Sequence, residues 1–559
     1  MKGKLVRMAG LFALAIAAAG FYLSEEASDP HRNPGNNKSG PITFKDVTVE
    51  VGLNELLKGM HGHSVAWGDI NNDNYPDLFI GTFATHANEK YAYRGHGAFP
   101  EPDKLFINHG GTRFTELTPS PTEVKGMSSG AAFADFDNDG YLDLVTSHIA
   151  NTSEDTNFGR SNGLYRNDGQ GRMVDVSARS NLIFNIDTVV VSARNTFVLD
   201  YDGDGRLDLL MQDDDCWQWS IGKSHLMRNM GDMVFKDVTL AAGLPENMNG
   251  LGGFAGDINN DTWPDIFFAH TNVMYINNRD GTFRKLDFEF FDPQYAANAR
   301  DGNLVWTCGA EIGDLNGDGL LDMVMGDHFG NTLDHRARVY INKGIDENGD
   351  PRFEEVGEEI GIDTVSQKEP YVAIEDLDND GDMDILVSTR ESFIYTNTGN
   401  APNGLPQFSG PTGSNGPAGG LDYWPAGGMV DFDRDGRLDY LGPQWYATVT
   451  SPLLRNVTEG AEDYIAIRMD IPGEKNRNGI GATVRIYEAG KAGEARALLG
   501  IKCISVSNGY SGGCPAEAHF GTPGHEKVDI TITMPCDGNI YFAPKVSTRQ
   551  LFTFTNQSP

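Results

Sequence analysis

Oxygen-bearing side chains recur at a fixed spacing along this chain of 559 residues. The pattern is Asp-x-[Asp/Asn]-x-Asp-x-x-x-Asp, with a short apolar run on either side. It begins at Asp69, Asp135, Asp200, Asp257, Asp314, Asp376 and Asp431. The candidate metal ligands are Asp69, Asn71, Asp73 and Asp77; Asp135, Asp137, Asp139 and Asp143; Asp200, Asp202, Asp204 and Asp208; Asp257, Asn259, Asp261 and Asp265; Asp314, Asn316, Asp318 and Asp322; Asp376, Asp378, Asp380 and Asp384; and Asp431, Asp433, Asp435 and Asp439. Oxygens at the first, third, fifth and ninth positions, with a backbone carbonyl at the seventh, are enough to wrap a hard cation. Ca²⁺ takes about 6–8 oxygens at about 2.3–2.6 Å, whereas Mg²⁺ prefers a smaller octahedral shell with retained water. The plain alternative for one such loop is a solvated turn, since Asp, Asn and Gly favour turns. Repeated in register without a cation, the carboxylates would face one another, and their pKa values would rise or the loops would break. The expected cofactor is calcium, up to seven ions, in a structural role. Gly at the sixth position (Gly140, Gly205, Gly319, Gly381, Gly436) suits the sharp turn, and Asn74 and Thr262 replace it in the first and fourth loops.

The elements that must hold these loops repeat with them. Each acidic loop is followed by an apolar or aromatic pair ending in Asn: Leu105–Asn108, Leu164–Asn167, Leu226–Asn229, Tyr275–Asn277, Tyr340–Asn342, Tyr395–Asn397 and Leu454–Asn456. In most units a Gly turn and a Phe-bearing strand come next, as in Gly231–Thr239. Each unit therefore predicts four short strands, rich in Val, Ile, Leu, Phe and Tyr and bounded by Gly, Asn and Asp. Such units at this period imply an all-β, seven-bladed β-propeller with calcium-binding loops. Phe44–Thr48, a strand of the fourth type ahead of any loop, is expected to complete the last blade and remove a free sheet edge. Beyond Ala461 the alternating strands Tyr464–Met469, Ala482–Tyr487 and Lys527–Thr533 predict a small C-terminal β-sandwich-like domain. The expected boundaries are 1–23 signal peptide or N-terminal anchor, 24–41 linker, 42–460 propeller and 461–559 C-terminal domain.

Acidic residues number 79 against 44 basic ones, a formal net charge of -35. That excess argues against nucleic acid and against anionic membranes as partners. Much of it lies in the loops, and seven divalent ions would offset 14 of these charges. Lys2, Lys4 and Arg7 precede the apolar run Met8–Leu23, which ends near Ala17-Ala18-Ala19. This reads as a secretory signal or an N-terminal anchor, short for a span of about 20 residues. The expected location is exported: periplasmic, outer surface or secreted. Of the cysteines Cys216, Cys308, Cys503, Cys514 and Cys536, the last three are close enough in sequence for one local bridge.

Loops such as Asp135–Asp143 (DFDNDGYLD) and Asp200–Asp208 (DYDGDGRLD) resemble FG-GAP/VCBS repeats, known from integrin alpha-chain propellers. Asn476-Arg477-Asn478-Gly479-Ile480-Gly481-Ala482 and His519-Phe520-Gly521 resemble the ASPIC/UnbV domain. The combination is similar to the cartilage acidic protein family and its bacterial exported relatives. The chain departs from the family pattern at Met534-Pro535, where Trp-Pro is usual, and at Ser511-Gly512-Gly513, where Ser-Gln is common.

A ligand site is expected at the strand ends opposite the acidic loops, because loops carry function on rigid scaffolds. Five residues beyond the last Asp of each loop stand Thr82, His148, Asp213, His270, Asp327, Thr389 and Gln444, all polar. His61, His63, Arg194, Asp214, His328, Arg390, Trp424 and Trp445 lie near that end. His148, Asp213, His270, Asp327, Arg390 and Trp445 are the expected ligand-binding residues, for a glycan or an extracellular protein. An alternative is a polysaccharide lyase or hydrolase using His63, His148, Arg194, Asp213, His270, Asp327, His328 and Arg390, since a His/Arg pair suits proton abstraction from a uronic acid. A third reading is a structural cell-surface component. No phosphate loop or HExxH motif is present.

Overall fold

The computed structural model describes residues 39–83, 101–124, 126–149, 162–182, 193–213, 223–245, 248–290, 306–329, 337–362, 371–388, 393–411, 427–444, 450–507 and 509–555. The expected leader and most of the linker fall outside the described residues. Among the described residues, no helix is long and apolar enough to cross a membrane.

Strand β1 is Phe44–Asp46. The first acidic unit forms β2 (Gly62–Gly68), β3 (Asp77–Thr82), β4 (Lys104–Asn108) and β5 (Phe114–Glu116). The second forms β6 (Ser128–Ala134), β7 (Asp143–His148), β8 (Gly163–Asn167) and β9 (Met173–Asp175). The third forms β10 (Asn195–Leu199), β11 (Asp208–Gln212), β12 (His225–Asn229) and β13 (Phe235–Asp237). The fourth forms β14 (Gly250–Gly256), β15 (Asp265–His270), β16 (Val273–Asn277) and β17 (Phe283–Lys285). The fifth forms β18 (Trp306–Gly313), β19 (Asp322–Phe329), β20 (Arg338–Ile345) and β21 (Pro351–Glu355). The sixth forms β22 (Tyr371–Glu375), β23 (Asp384–Ser388), β24 (Phe393–Asn400) and β25 (Pro406–Ser409). The seventh contributes β26 (Gly428–Val430), β27 (Asp439–Leu441) and β28 (Leu453–Asn456), and β1 pairs antiparallel with β28 through Phe44 opposite Asn456.

The burial pattern explains the sequence of each strand. First strands are buried on both faces along their length, as in β2, β6, β10 and β22. They are therefore continuous runs of apolar and small residues, without alternation. Fourth strands such as β21 alternate buried and exposed residues because only one face is covered. Small residues in the first strands permit close approach: a Cβ on Gly68 would lie 2.7 Å from the Phe133 side chain.

Neighbouring units are joined by side chains. The unit Asn sends its Nδ2 back to the carbonyl of the loop before it: Asn167 to Ile70, Asn229 to Phe136, Asn277 to Tyr201, Asn342 to Ile258, Asn397 to Leu315 and Asn456 to Leu377. Asn108 reaches Phe432 of the seventh loop. Apolar clusters likewise straddle adjacent sheets, as where Trp67 and Phe106 pack with Phe432 and Leu453. The backbone ladders, by contrast, stop at the fourth strand of each sheet. The expectation of a seven-bladed propeller is corrected accordingly. Among the described residues the strands form independent sheets of three or four, and none is closed into a barrel or propeller. The reason is that strands of this length end in Gly- and Asp-rich loops, so no ladder passes from one unit to the next, and Phe83 and Met127 make only an isolated bridge.

After residue 460 come β29 (Tyr464–Met469), β30 (Thr483–Glu488), β31 (Leu498–Cys503), β32 (Glu517–Gly521), β33 (Lys527–Thr533), β34 (Ile540–Ser547) and β35 (Gln550–Phe554). They form a sheet in the order β32-β29-β35, with β29 and β35 parallel, and a second in the order β31-β30-β33-β34. One core, including Ile465, Val484, Phe520, Ile530 and Phe554, serves both.

Between β31 and β32 the chain turns into the repeat units. Gly513 N donates to Val65 O at 2.7 Å, Val65 N to Ser511 O at 3.1 Å, and Gly253 N to Gly509 O at 3.1 Å. Tyr510, 1% exposed, packs with Leu251 and Cys308 and shares a 3.0 Å hydrogen bond with His63 Nε2. This insertion contains Ser511-Gly512-Gly513, where the sequence leaves the family pattern. Gly is required there: a Cβ on Gly513 would sit 2.7 Å from Ala131 O.

Candidate metal centres

Backbone amides orient the carboxylates of each loop. Asp135 accepts from Asp139 N at 2.9 Å and Gly140 N at 2.8 Å. Asp143, at the ninth position, accepts from Phe136 N at 3.0 Å and Asn167 N at 2.9 Å. The other loops repeat this scheme, for instance Asp376 with Asp380 N and Gly381 N, and Asp384 with Leu377 N and Asn397 N. The Asn that ends the third strand is thus a support for the last ligand. The amides can point inward because two backbone positions are left-handed. The sixth has φ 95 at Gly140 and 80 at Gly205, and Asn74 (77) and Thr262 (76) adopt it as well. The fourth has φ 58 at Asn138, 71 at Gly203 and 56 at Asn379. Its Asn/Gly pattern in the sequence is the signal for this second turn requirement. Arg434 is the exception, at φ 61.

Carboxylate oxygens converge within 4.8 Å of one another in four loops: Asp135, Asp137, Asp143; Asp200, Asp202, Asp208; Asp376, Asp378, Asp384; and Asp431, Asp433, Asp439. The fifth-position Asp stands outside each of these groups. In the first, fourth and fifth loops Asn71, Asn259 and Asn316 replace the third-position carboxylate, and each donates to the fifth-position Asp.

Burial raises the carboxyl pKa values, with neighbouring carboxylates adding to it. Asp135 is pushed up to about 6, Asp200 and Asp257 to about 7, and Asp77, Asp143 and Asp431 to about 8. Asp208, Asp265, Asp322, Asp376, Asp384 and Asp439 lie well above the ordinary range for the same leading cause. Asp200 Oδ1, Asp265 Oδ2 and Asp431 Oδ1 are buried and accept no hydrogen bond. Buried acceptors without a partner are costly, and converging carboxylates more so. Buried Asp-rich clusters of this kind can chelate a divalent metal, and the donor set is oxygen throughout. Arginines partly compensate three of them: Arg166 contacts Asp137 and Asp139, Arg228 contacts Asp202 and Asp204, and Arg455 contacts Asp433.

Among the described residues, the opposite strand ends do not form the expected recognition rim. His63, His148, Arg194 and Asp213 are 1%, 1%, 3% and 0% exposed, so none offers a binding face. Ser128 Oγ bonds both His148 Nε2 at 2.8 Å and Asp103 Oδ2 at 2.5 Å, and Thr82 N donates to Asp103 Oδ1. Ser128 and Asp103 thus meet the same ring nitrogen, which is not a nucleophile–base–orienter arrangement. His63 stacks on Phe83, and the Arg194 guanidinium lies over the same ring. His270 is half-buried, its N–H donating to Thr307 Oγ1. Asp327 and His328 lie on β19, and their side chains fall outside the described residues, as do Arg390, Trp424 and Trp445. The function expected at this face, whether recognition or catalysis, is corrected: Thr82, His148, Asp213 and Gln444, which end these strands, are packed into the protein. Cys503, Cys514 and Cys536 are free thiols, so the expected local bridge among them is not formed.

Comparison with known proteins bears on the loops and on the C-terminal sheets. The model of the FG-GAP-like repeat matches residues 92–146, 200–268 and 314–387. The ASPIC and UnbV model matches residues 472–558. Mouse (Mus musculus) cartilage acidic protein 1 is 28% identical over 217 residues, covering 35% of this chain and 28% of the mouse protein. The human (Homo sapiens) protein is 26% identical over 211 residues, covering 35% of this chain and 27% of its own length. The chain thus spans less than a third of these relatives. It carries FG-GAP-like repeats and an ASPIC/UnbV domain and is a distant homologue of the cartilage acidic proteins. A solved Agrocybe aegerita lectin, described by its recognition of non-reducing terminal N-acetylglucosamine, aligns with a TM-score of 0.38 at 17% identity, over 64% of this chain and 82% of its own. The V. cholerae biofilm matrix protein Bap1 aligns with a TM-score of 0.35 at 11% identity, over 91% of this chain and 71% of its own. Likenesses this weak carry no argument about ligand. The matches support the two domain types; the expected signal peptide and secretion do not follow from them.

Proposed function

We propose that this chain is a calcium-dependent scaffold, in which cations at the Asp loops hold the loop ends of the sheets and the platform under the C-terminal sheets. The observation that carries this reading is the set of buried carboxylate clusters whose charge the protein leaves only partly compensated. The first, third and ninth residues of the second, third, sixth and seventh loops would hold the ion, with the seventh-position carbonyl. A bound cation supplies positive charge and fills the empty coordination of Asp200 Oδ1 and Asp431 Oδ1. Calcium suits the site better than magnesium because the donors are many, carboxylate-rich and oxygen-only. The chain's own contribution is orientation: inward amides, left-handed turns and the supporting Asn fix the carboxylates before an ion arrives.

The test is metal content and calorimetry on protein stripped with chelator and titrated with Ca²⁺ or Mg²⁺. We expect several Ca²⁺ per chain, with Asp143→Asn, Asp208→Asn and Asp439→Asn each removing about one. A stripped protein that takes up no calcium at millimolar concentration refutes the reading.

A further inference from the structure

The inference rests on the cation reading above and concerns two of its sites. Strand β32 lies across the sixth and seventh loops, and three alternate residues meet them, as the period of two places them on one face. Glu517 takes the guanidinium of Arg434, the fourth residue of the seventh loop, through two hydrogen bonds of 2.7 Å. His519 Nε2 bonds Asn379 Oδ1, in the fourth residue of the sixth loop, at 2.8 Å. Gly521 N donates to Asp376 Oδ2, a converging carboxylate, at 2.9 Å.

The fit excludes any larger residue. A Cβ on Gly521 would lie 2.1 Å from Asp376 Oδ2 and 2.5 Å from Asn379 C. Tyr464, on neighbouring β29, stacks on His519 with ring centroids 5.7 Å apart. It also covers the turn of the seventh loop, where a Cβ on Gly436 would lie 1.9 Å from the Tyr464 ring. Asn379 Nδ2 donates to Gly436 O at 2.9 Å and to Ala461 O at 2.7 Å, tying both loops to the start of the C-terminal segment. Beneath this cover Asp376, Asp378, Asp384, Asp431 and Asp439 are at most 5% exposed, and Asp431 Oδ1 is without a hydrogen bond. In the second and third loops the fourth residues Asn138 and Gly203 are exposed, and the C-terminal segment bonds these loops through the Asn138 amide and the carbonyls of Asp204 and Asp200, not through a carboxylate. The position of Arg434 is also informative: it adopts the left-handed conformation that Asn or Gly takes elsewhere, so the seventh loop keeps a strained residue that reaches Glu517.

We propose that β32 is a gate over the sixth and seventh loops: their ions enter and leave only when the C-terminal sheets lift off, while uncovered loops exchange freely. The C-terminal sheets thereby set the lifetime, not the number, of the bound ions.

The experiment loads the full chain with radioactive calcium, adds an excess of unlabelled calcium and follows retained label. Wild type should release in two phases, the slow one holding about two ions per chain. Glu517→Gln, which removes the charge but keeps the size, should speed the slow phase by about tenfold or more, because release requires local opening, and should leave total binding unchanged. Gly521→Ala, if it folds, should act in the same direction. A single fast phase in wild type, or a slow phase untouched by Glu517→Gln, overturns the gate while leaving the cation reading intact. A chain that binds no calcium removes both.

Discussion

Removing the cation should invert the pH dependence of stability. Asp135, Asp200, Asp143 and Asp431 are pushed from the ordinary 3.8 to about 6, 7, 8 and 8. Without metal, the folded chain therefore holds protons between about pH 4 and 8 that the unfolded chain has released. Stability changes with pH as the difference in bound protons, unfolded minus folded, so it falls as pH rises through that window. The loss is complete only above the raised values, near pH 8. With calcium bound the same carboxylates are ionised in the fold, and this downward slope disappears. The chelator effect should thus be small near pH 5 and large near pH 8.

The size at pH 8 follows from the four converging clusters. A site held at about 100 times its dissociation constant stabilises by about 2.7 kcal/mol, so four independent sites give roughly 11 kcal/mol. Unfolding entropy near 60 °C is about 2.1 cal/mol/K per residue. Over 559 residues the chelator should lower Tm by about 9 °C. Calorimetry at pH 5.5 and 8, with EDTA and with calcium, measures all four corners. A chelated protein whose Tm rises from pH 5.5 to 8, or an equal EDTA effect at both, would refute the argument, because the buried carboxylates would then already have a partner other than a cation.

Two further substitutions check the packing. Tyr510→Phe removes the hydroxyl that meets His63 and should cost about 1 kcal/mol in urea unfolding, against about 3–5 kcal/mol for Tyr510→Ala. Thr262→Gly should instead stabilise by about 1 kcal/mol, since a β-branched residue at φ 76 is strained and the gain exceeds the entropy lost with glycine; a destabilised variant would show that the Thr262 side chain contributes more than its strain costs.

The sequence made the repeat unit legible because each constraint is local. A two-strand turn around carboxylates needs its ligands within nine residues, and the Asn at the end of the third strand supports the last ligand of the same unit. Strand positions therefore followed closely, down to Phe44–Asp46 beside Leu454–Asn456. What the pattern did not contain was how units join. The strand ladders end within each unit, and the links between units are Asn side chains, apolar contacts and single backbone bonds such as Ala193 N to His148 O, which leave no periodic mark of their own. Polarity at the far strand ends was misread for a related reason. His148, Asp103 and Ser128 satisfy one another inside the protein, and a polar residue with buried partners has the same letter as one facing solvent.

The fourth loop position shows where composition could have told more. Asn72, Asn138, Gly203, Asn260, Gly317 and Asn379 all adopt positive φ, which only Asn and Gly do readily. Against that background Arg434 breaks a local rule, and the hydrogen bonds of its side chain go outside its own loop. Its two hydrogen bonds to Glu517 supply the missing gain from a strand 83 residues away. A residue that violates its turn is therefore evidence of a distant partner. Here that partner lies on the strand whose Gly521 N–H reaches Asp376. The same rule that defines the loops thus marks a loop whose geometry depends on the C-terminal sheets.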